Sequence, residues 1–339
     1  MEYVPRFFNP SPDLYPQVTV EPKRKSVSFQ WVGSSGPDVY VFTPEVVLAI
    51  NVAFAAGRPL LIAGEPGSGK TRLAHAVAEI KQWQFYPKTV TSRTQAADLL
   101  WTFDALRRLN DASRMTRTRT GVSPQRYVEP GVVWWGFDPS SARHRGLAPL
   151  EHARDTAEPP KQTRPDGTGA VILIDEIDKA DPDVPNDLLE PFDVRRFTVK
   201  ETNDVIEATR ETLLVLTTNG ERDLPPAFLR RCVVLTLEEP DGEWFMHVGL
   251  QHFPKGDADV QARVAAEVMR LRGLARPGTR KPSTAEFLDA VRVCEHLRLD
   301  PRMDDWQHII DAVLLKSTDA GAQRPRAKGE TVETGASGG

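Results

Sequence analysis

The most informative stretch of the sequence is Pro59-Leu60-Leu61-Ile62-Ala63-Gly64-Glu65-Pro66-Gly67-Ser68-Gly69-Lys70-Thr71. It opens with an apolar run of strand length and continues into the pattern G-x-x-x-x-G-K-[ST]. Leu73, Val77 and Ile80 follow at the i, i+4, i+7 spacing of an amphipathic helix. A strand, a glycine-rich loop and a helix in this order predict a loop that binds phosphate groups.

The residue types in this loop suit the chemistry of a triphosphate. Backbone N–H groups can converge on phosphate oxygens only in conformations that glycine tolerates, and the helix N-terminus adds a partial positive charge. We expect Lys70 to reach the β- and γ-phosphates and the Thr71 hydroxyl to bind Mg²⁺. The candidate nucleotide-binding residues are Gly64, Glu65, Pro66, Gly67, Ser68, Gly69, Lys70 and Thr71.

A pair of carboxylates follows a second apolar run. Asp175 and Glu176 come directly after Val171–Ile174, and ligands of open α/β sheets bind beyond the carboxyl ends of the strands. We expect Asp175 to hold Mg²⁺ through water and Glu176 to polarise the attacking water. The acidic residues expected to be solvated on a helix face or at a cap are Asp178, Asp181, Asp183 and Asp187.

Two further apolar runs complete the pattern of an α/β fold with a parallel sheet between helices. Leu213–Leu216 ends near Asn219, whose amide can hydrogen-bond a phosphate oxygen and the attacking water, and Val233–Leu237 is another strand candidate. Strands that are apolar on both faces and alternate with helices are typical of a covered parallel sheet.

Pro225 and Pro226 stand at the start of a short predicted helix, and Arg230 and Arg231 stand at its end. Arginines at a helix C-terminus are favourable by about 0.3–1 kcal/mol through the helix dipole alone. An arginine donated to a phosphoryl-transfer site can instead raise the rate by about 10³–10⁵. If either arginine enters such a site, we expect the site to belong to a neighbouring copy.

Changes in composition and hydrophobic periodicity along the chain predict four regions. Residues 1–38 are an extended N-terminal arm, 39–240 are the α/β nucleotide-binding domain with an irregular stretch at about 121–169, 241–318 are a small all-α domain, and 319–339 are a disordered tail. Ser283 and Glu286 form a capping box. The helices predicted for the all-α domain are Trp244–Phe253, Val260–Leu271, Ala285–Leu297 and Trp306–Leu315.

Composition excludes several classes of protein. Two cysteines, Cys232 and Cys294, among 339 residues exclude a disulfide scaffold and favour a reducing compartment, so we expect a cytoplasmic protein. A net charge of −4 argues against a surface devoted to nucleic acid or membranes. The sequence holds no apolar run near the roughly 18 residues of a membrane span, and no secretory signal is expected at its N-terminus.

Taken in order, these motifs resemble those of AAA+ ATPases, over roughly residues 40–315. Within AAA+ the chain resembles the MoxR branch. The segments that carry this second resemblance are Thr94–Leu100, Tyr127–Gly131 (similar to the hairpin that this branch inserts in its helix 2), Glu176–Ala180 and Leu188–Glu190.

The resemblance implies a role for each motif. Lys70 and Thr71 correspond to Walker A, Asp175 and Glu176 to Walker B, and Asn219 to sensor 1, with ATP and Mg²⁺ as cofactors. Arg231 matches the arginine finger best, and Arg230 is the alternative. The chain departs from the family at the usual place of the sensor 2 arginine, which reads Ser283-Thr284-Ala285, so that sensor 2 is either Arg280 or absent, with Lys281 alongside.

The resemblance also implies a ring of identical subunits, commonly a hexamer. It implies a chaperone-like role on a protein partner, often one with a von Willebrand factor A domain. A nucleotide-gated switch in a bacterial multi-protein system, such as a defence system, is an alternative, and so is a nucleic-acid-directed motor. Arginines between Arg107 and Arg119 admit three interpretations: a solvated face, a surface for an acidic protein, or a surface for nucleic acid.

Overall fold

The structure is a computed structural model that describes residues 5–10, 18–21, 26–33, 36–114, 123–147, 156–160, 167–276, 279–299, 303 and 306–314. The predicted tail at 319–339, and Arg117 and Arg119 of the arginine-rich segment, lie outside the described residues. The chain divides into two compact units, Met1–Glu239 and Pro240–Gly339. Within the described ranges, no helix has both the length and the apolar character needed to cross a bilayer.

Strands occur only in the first unit among the described residues. They are β1 (Val18–Glu21), β2 (Ser26–Gly33), β3 (Gly36–Phe42), β4 (Leu60–Ala63), β5 (Gln84–Thr89), β6 (Trp101–Phe103), β7 (Val128–Pro130), β8 (Gly169–Asp175), β9 (Arg196–Val199), β10 (Asp204–Glu207), β11 (Glu211–Thr218) and β12 (Val233–Thr236).

Helices are divided between the units. They are α1 (Pro44–Ala56), α2 (Lys70–Lys81), α3 (Ala96–Leu100), α4 (Ala105–Arg114), α5 (Val132–Phe137), α6 (Pro139–Arg143), α7 (Val184–Val194) and α8 (Pro226–Leu229) in the first unit, and α9 (Gly242–His252), α10 (Ala258–Leu274), α11 (Thr284–Leu297) and α12 (Trp306–Leu314) in the second.

The centre of the first unit is a five-stranded parallel sheet in the order β12-β4-β11-β8-β5. Thr218 at the end of β11 pairs with Ala63 at the end of β4, and Asp175 at the end of β8 pairs with Thr89 of β5. The carboxyl ends of these strands therefore lie along one edge of the sheet. The predicted α/β fold with a parallel sheet between helices, followed by an all-α unit, is confirmed.

Both faces of this sheet are buried, which explains the continuous apolar runs. In β8, Val171 and Leu173 pack in the cluster that includes α1 and α2, whereas Ile172 and Ile174 pack in the cluster that includes α5 and α7. Successive side chains of a strand point to opposite faces. Each buried aliphatic side chain contributes about 1.5–3 kcal/mol relative to an exposed one.

The stretch predicted to be irregular at 121–169 is largely ordered where the structure describes it. Strand β7 pairs antiparallel with β6, and α4 lies in the connection between these two strands. All residues of α5 are buried, including Trp134 and Trp135. Their pattern lacks helical periodicity because a helix buried on every side has no polar face to mark the period.

The N-terminal region holds an antiparallel sheet, β1-β2-β3, that the sequence did not predict. Ahead of it, Phe8 is buried against Phe42, with ring centroids 5.4 Å apart. The buried Asn51 of α1 fixes this segment, because its Oδ1 accepts the N–H groups of Phe7 (2.9 Å) and Phe8 (3.0 Å).

The second unit consists of α9 to α12 packed around one apolar cluster that includes Phe245, Phe287 and Ile310. The predicted capping box is confirmed at the start of α11, where the Ser283 N–H donates to Glu286 Oε2 at 3.0 Å.

Candidate nucleotide-binding site

The loop Gly64–Gly69 connects β4 to α2 in a conformation that needs glycine at defined places. Gly67 and Gly69 have φ of 75° and 95°, in the left-handed region that L side chains rarely adopt. A Cβ on Gly64 would lie 3.0 Å from Ser68 Oγ and 3.3 Å from Leu237 Cβ. The loop therefore needs glycine at positions 67 and 69 for their backbone conformation and at position 64 for space. It ends at the N-terminus of α2.

Lys70 is the first residue of α2 and is 6% exposed. Its Nζ donates to the carbonyl oxygens of Gly64 (2.8 Å) and Glu65 (2.9 Å), so the ammonium group lies over the loop. Burial lowers the pKa of Lys70, and the surrounding carboxylates, Asp175 first among them, oppose that shift. The structure thus brings a partly desolvated cation to the loop, where a phosphate anion would replace the carbonyl groups as its partner.

Thr71 and Asp175 come together across the sheet edge. The Thr71 hydroxyl donates to Asp175 Oδ2 at 2.9 Å, and the Thr217 hydroxyl donates to Asp175 Oδ1. Mg²⁺ prefers oxygen ligands and is usually held by one or two protein oxygens together with phosphate oxygens and water. A hydroxyl and a carboxylate beside the end of the phosphate loop fit that ion.

Glu176 follows Asp175 in a left-handed conformation with φ of 60°. Its backbone N–H donates to Thr217 Oγ1 at 2.9 Å, which fixes the turn against β11. Its Oε1 accepts from Asn219 Nδ2 at 3.2 Å, and its Oε2 accepts from Lys179 Nζ at 3.0 Å. The hydrogen bond to Glu176 is the main cause that raises the pKa of Lys179. The two residues predicted to contact the attacking water are therefore in direct contact with each other.

Asp178 corrects one expectation from the sequence. It is 3% exposed rather than solvated, and its Oδ2 accepts the backbone N–H groups of Asn219 (3.2 Å) and Glu221 (3.0 Å). It ties the loop after β8 to the loop after β11. The three acidic residues expected to behave like it, Asp181, Asp183 and Asp187, are exposed as predicted.

No feature of the sequence distinguishes Asp178 from those neighbours. Its burial depends on the loop after β11, which is about 40 residues further along the chain. The motifs likewise assign no role to Lys179, although it contacts the side chain of Glu176.

Arg230 and Arg231 follow α8. The Arg231 side chain is 53% exposed, and its Nη1 lies 3.6 Å from Asp193 Oδ2 at the end of α7. The carbonyl oxygen of Arg230 accepts from Arg58 Nη1 at 3.3 Å. The guanidinium of Arg231 is thus presented on the surface of its own chain.

Arg280 belongs to the second unit. Its Nη2 donates to Oε1 of Glu286, the same glutamate that closes the capping box of α11. Half of the Arg280 side chain remains exposed. The structure therefore assigns it a local partner at the start of that helix.

Comparison with known proteins is consistent with this geometry. Residues 59–232, just over half of the chain, match the AAA domain family (dynein-related subfamily). No curated protein matches the chain.

Among solved structures, the RuvB Holliday junction branch migration motor of Thermotoga maritima is 16% identical at a TM-score of 0.42, with 80% of this chain and 67% of RuvB covered. A candidate ATPase of Cytophaga hutchinsonii is 15% identical at a TM-score of 0.39, with 79% of each chain covered. At scores below 0.5, neither likeness assigns a substrate or a partner. The family match covers the phosphate loop, both carboxylates, Asn219 and the two arginines. The chain therefore belongs to the AAA ATPases, a family of P-loop ATP hydrolases.

Proposed function

We propose that this chain is a Mg²⁺-dependent AAA+ ATPase of the MoxR-like branch, which assembles into a ring and uses ATP binding and hydrolysis to remodel a protein partner. The observation that carries the catalytic part is the convergence of four side chains at one sheet edge. Thr71, Asp175, Glu176 and Asn219 come from three different segments and are linked by direct hydrogen bonds.

Each residue has a defined task in this proposal. The loop Gly64–Gly69 offers its N–H groups to the phosphates, and Lys70 exchanges its carbonyl partners for β- and γ-phosphate oxygens. Thr71 and Asp175 would hold Mg²⁺, which supplies charge neutralisation at the phosphates. Glu176 accepts the proton of the attacking water, and Asn219 orients that water and the γ-phosphate.

Arg231 is proposed to complete the site of a neighbouring copy, with Arg230 as the alternative. The exposure of its side chain (53%) supports a role toward a neighbour, because the surface ion pair with the equally exposed Asp193 is of a kind that contributes little energy and is easily exchanged. Arg280 is proposed as sensor 2, and the alternative is that the chain has no sensor 2. A ring, hexameric in this proposal, follows from the need for a second subunit at each site.

The MoxR-like assignment is supported by the β6–β7 hairpin between β5 and α5. In that branch the partner is frequently a protein with a von Willebrand factor A domain, and we propose a client of this kind in the cytoplasm. The exposed face of α4, with Leu106 and Leu109 exposed by 75% and 67%, is available to such a client.

A slow nucleotide-gated switch is the second candidate, and one observation favours it. Both carboxylate oxygens of Glu176 are engaged, by Asn219 and by Lys179. With Glu176 held in this way, the chain would hydrolyse ATP slowly until these contacts change.

The test of the proposed function is the Glu176→Gln variant. The expected result is loss of ATP hydrolysis by at least about a hundredfold, because general-base assistance contributes about 10²–10⁴, with binding of a fluorescent ATP analogue retained. The matched control is Glu207→Gln, which removes an exposed carboxylate at the end of β10. Glu207 precedes the first residue of β11, whereas the candidate site lies at the last residues of that strand. Hydrolysis by Glu176→Gln at the wild-type rate would exclude the role of Glu176.

A further inference from the structure

Lys179 lies between two carboxylates that belong to different loops. Its Nζ is 3.0 Å from Glu176 Oε2 and 3.8 Å from Glu221 Oε1. Glu176 follows β8 and Glu221 follows β11. All three side chains are partly exposed to solvent, by 37% for Lys179, 29% for Glu176 and 54% for Glu221. None of them is therefore immobilised in the core.

The contacts of Glu176 conflict with the task proposed for it. A general base must offer an oxygen to the water it deprotonates. In the structure Oε1 accepts from Asn219 and Oε2 accepts from Lys179. Each oxygen still has a free lone pair, but the Lys179 ammonium group stabilises the negative charge that a general base gives up when it takes a proton. The carboxylate therefore acts better as a base once Lys179 has left.

Lys179 is the partner that can leave. Asn219 is held by its own backbone, because its N–H donates to the buried Asp178. A lysine has a flexible four-carbon stem and a point charge without directional preference. Moving Nζ from Glu176 to Glu221 keeps the ammonium group paired throughout.

Glu221 is held in place to receive it. Its backbone N–H donates to Asp178 Oδ2 at 3.0 Å, and Asp178 is only one residue before Lys179. The loop that carries Glu221 is therefore fixed to the turn that carries Lys179. The 3.8 Å separation between Lys179 Nζ and Glu221 Oε1 is close to the limit of an ion pair and needs only a small movement to shorten.

We propose that Lys179 is a positioning residue that acts through Glu176. It holds the Glu176 carboxylate in its resting position, and it transfers to Glu221 when Glu176 turns to the attacking water. This inference rests on the proposed function, in which Glu176 is the water-polarising residue. Lys179 itself touches neither water nor phosphate in this scheme.

The test is a double-mutant cycle on the full-length chain with kcat and KM for ATP as readouts. Glu221→Gln removes the second partner, so that Lys179 must be left unpaired when Glu176 is released. Partly exposed ion pairs contribute about 0.2–1 kcal/mol, so kcat should fall by a factor of about 1.4 to 5. KM should stay unchanged, because nucleotide binding does not involve Glu221.

The same Glu221→Gln change is then made on two backgrounds. On Lys179→Met, which keeps the length of the side chain and removes its charge, it should have no effect on kcat. On Lys179→Arg, which keeps the charge, the loss should persist. A merely structural role of Lys179 would change thermal stability and would leave the effect of Glu221→Gln the same on every background.

Two outcomes would overturn the inference: no change of kcat in Glu221→Gln, or an equal loss on the Lys179→Met background. Failure of the proposed function is recognised separately, by wild-type hydrolysis in Glu176→Gln. Loss of hydrolysis in Glu176→Gln together with an unresponsive Glu221 would reject the lysine transfer alone.

Discussion

The hydroxyl of Thr71 donates a 2.9 Å hydrogen bond to the carboxylate of Asp175, although 104 residues separate the two in the chain. The bond joins the start of α2 to the end of β8. Because strands of a parallel sheet end at a common edge, two motifs that are remote in sequence meet beside the phosphate loop. The pair offers oxygen atoms of the kind that Mg²⁺ prefers as ligands.

The first prediction concerns this pair. Thr71→Ala should weaken the binding of Mg²⁺–ATP by at least about tenfold, since loss of a group that supports a metal typically costs about 10–100-fold in affinity. Binding of the nucleotide in EDTA should change little, because the loop and Lys70 are intact. Titration of a fluorescent ATP analogue with and without Mg²⁺ measures both values. The control is Thr198→Ala, an exposed threonine of β9, and an unaltered Mg²⁺ dependence in Thr71→Ala would contradict the metal role.

The second prediction concerns the buried tryptophans of α5. Trp134 is 0% exposed and packs against the sheet face that includes Ile172 and Ile174. Trp134→Ala should lower the free energy of unfolding of the first unit by about 3–5 kcal/mol through the cavity it leaves. Urea unfolding measures the change. Leu106→Ala on the exposed side of α4 should stay within about 0.5 kcal/mol of wild type, and an equally small change in Trp134→Ala would show that the tryptophan is not part of the core.

The third prediction concerns the two thiols. Burial raises the pKa of Cys232 to about 12 and that of Cys294 to about 11. Only the thiolate reacts with alkylating agents, so at pH 8 about one thiol in a thousand or fewer is reactive in the folded chain. Labelling by iodoacetamide should be slow at pH 8, should accelerate about tenfold per pH unit below these pKa values, and should reach both thiols after unfolding in guanidinium. Rapid labelling of the folded chain at pH 8 would contradict the burial of these residues.

The fourth prediction concerns the N-terminal segment. Asn51 is 2% exposed and binds three consecutive backbone N–H groups, those of Arg6, Phe7 and Phe8, as well as the carbonyl oxygen of Phe8. Asn51→Ala should release this segment, since one side chain supplies all four bonds. Trypsin should then cleave after Arg6 several-fold faster than in wild type, as followed by mass spectrometry of the N-terminus. Asn110→Ala on exposed α4 is the control, and cleavage at an unchanged rate in Asn51→Ala would show that other contacts fix the segment.

The interior strands of the parallel sheet could be predicted from the sequence. β4, β8 and β11 are buried on both faces, and that burial is visible as uninterrupted apolar residues. The edge strand β5 was not predicted, because Pro87, Lys88 and Thr89 interrupt its apolar character. Proline is tolerated there since an edge strand has one unpaired side.

Contacts between loops that are far apart in the chain could not be predicted from the sequence. The motifs indicated that Glu176 and Asn219 meet, because each follows a strand of the same sheet. Nothing in them indicated that Asp178 would be buried beneath the loop after β11, or that Lys179 would contact Glu176. Those contacts depend on the turn at Glu176, which has a φ of 60° and whose backbone N–H donates to Thr217 Oγ1.

Glu176 of one subunit and Arg231 of another are proposed to act on the same ATP. The most direct measurement mixes the Glu176→Gln variant with the Arg231→Ala variant, each of which should be inactive alone. If Arg231 acts on a neighbour, equal mixing gives complete sites at about a quarter of the interfaces, and hydrolysis should return to a corresponding fraction of the wild-type rate. A mixture that stays as inactive as its components, or an Arg231→Ala variant that hydrolyses ATP at full rate alone, would contradict the claim.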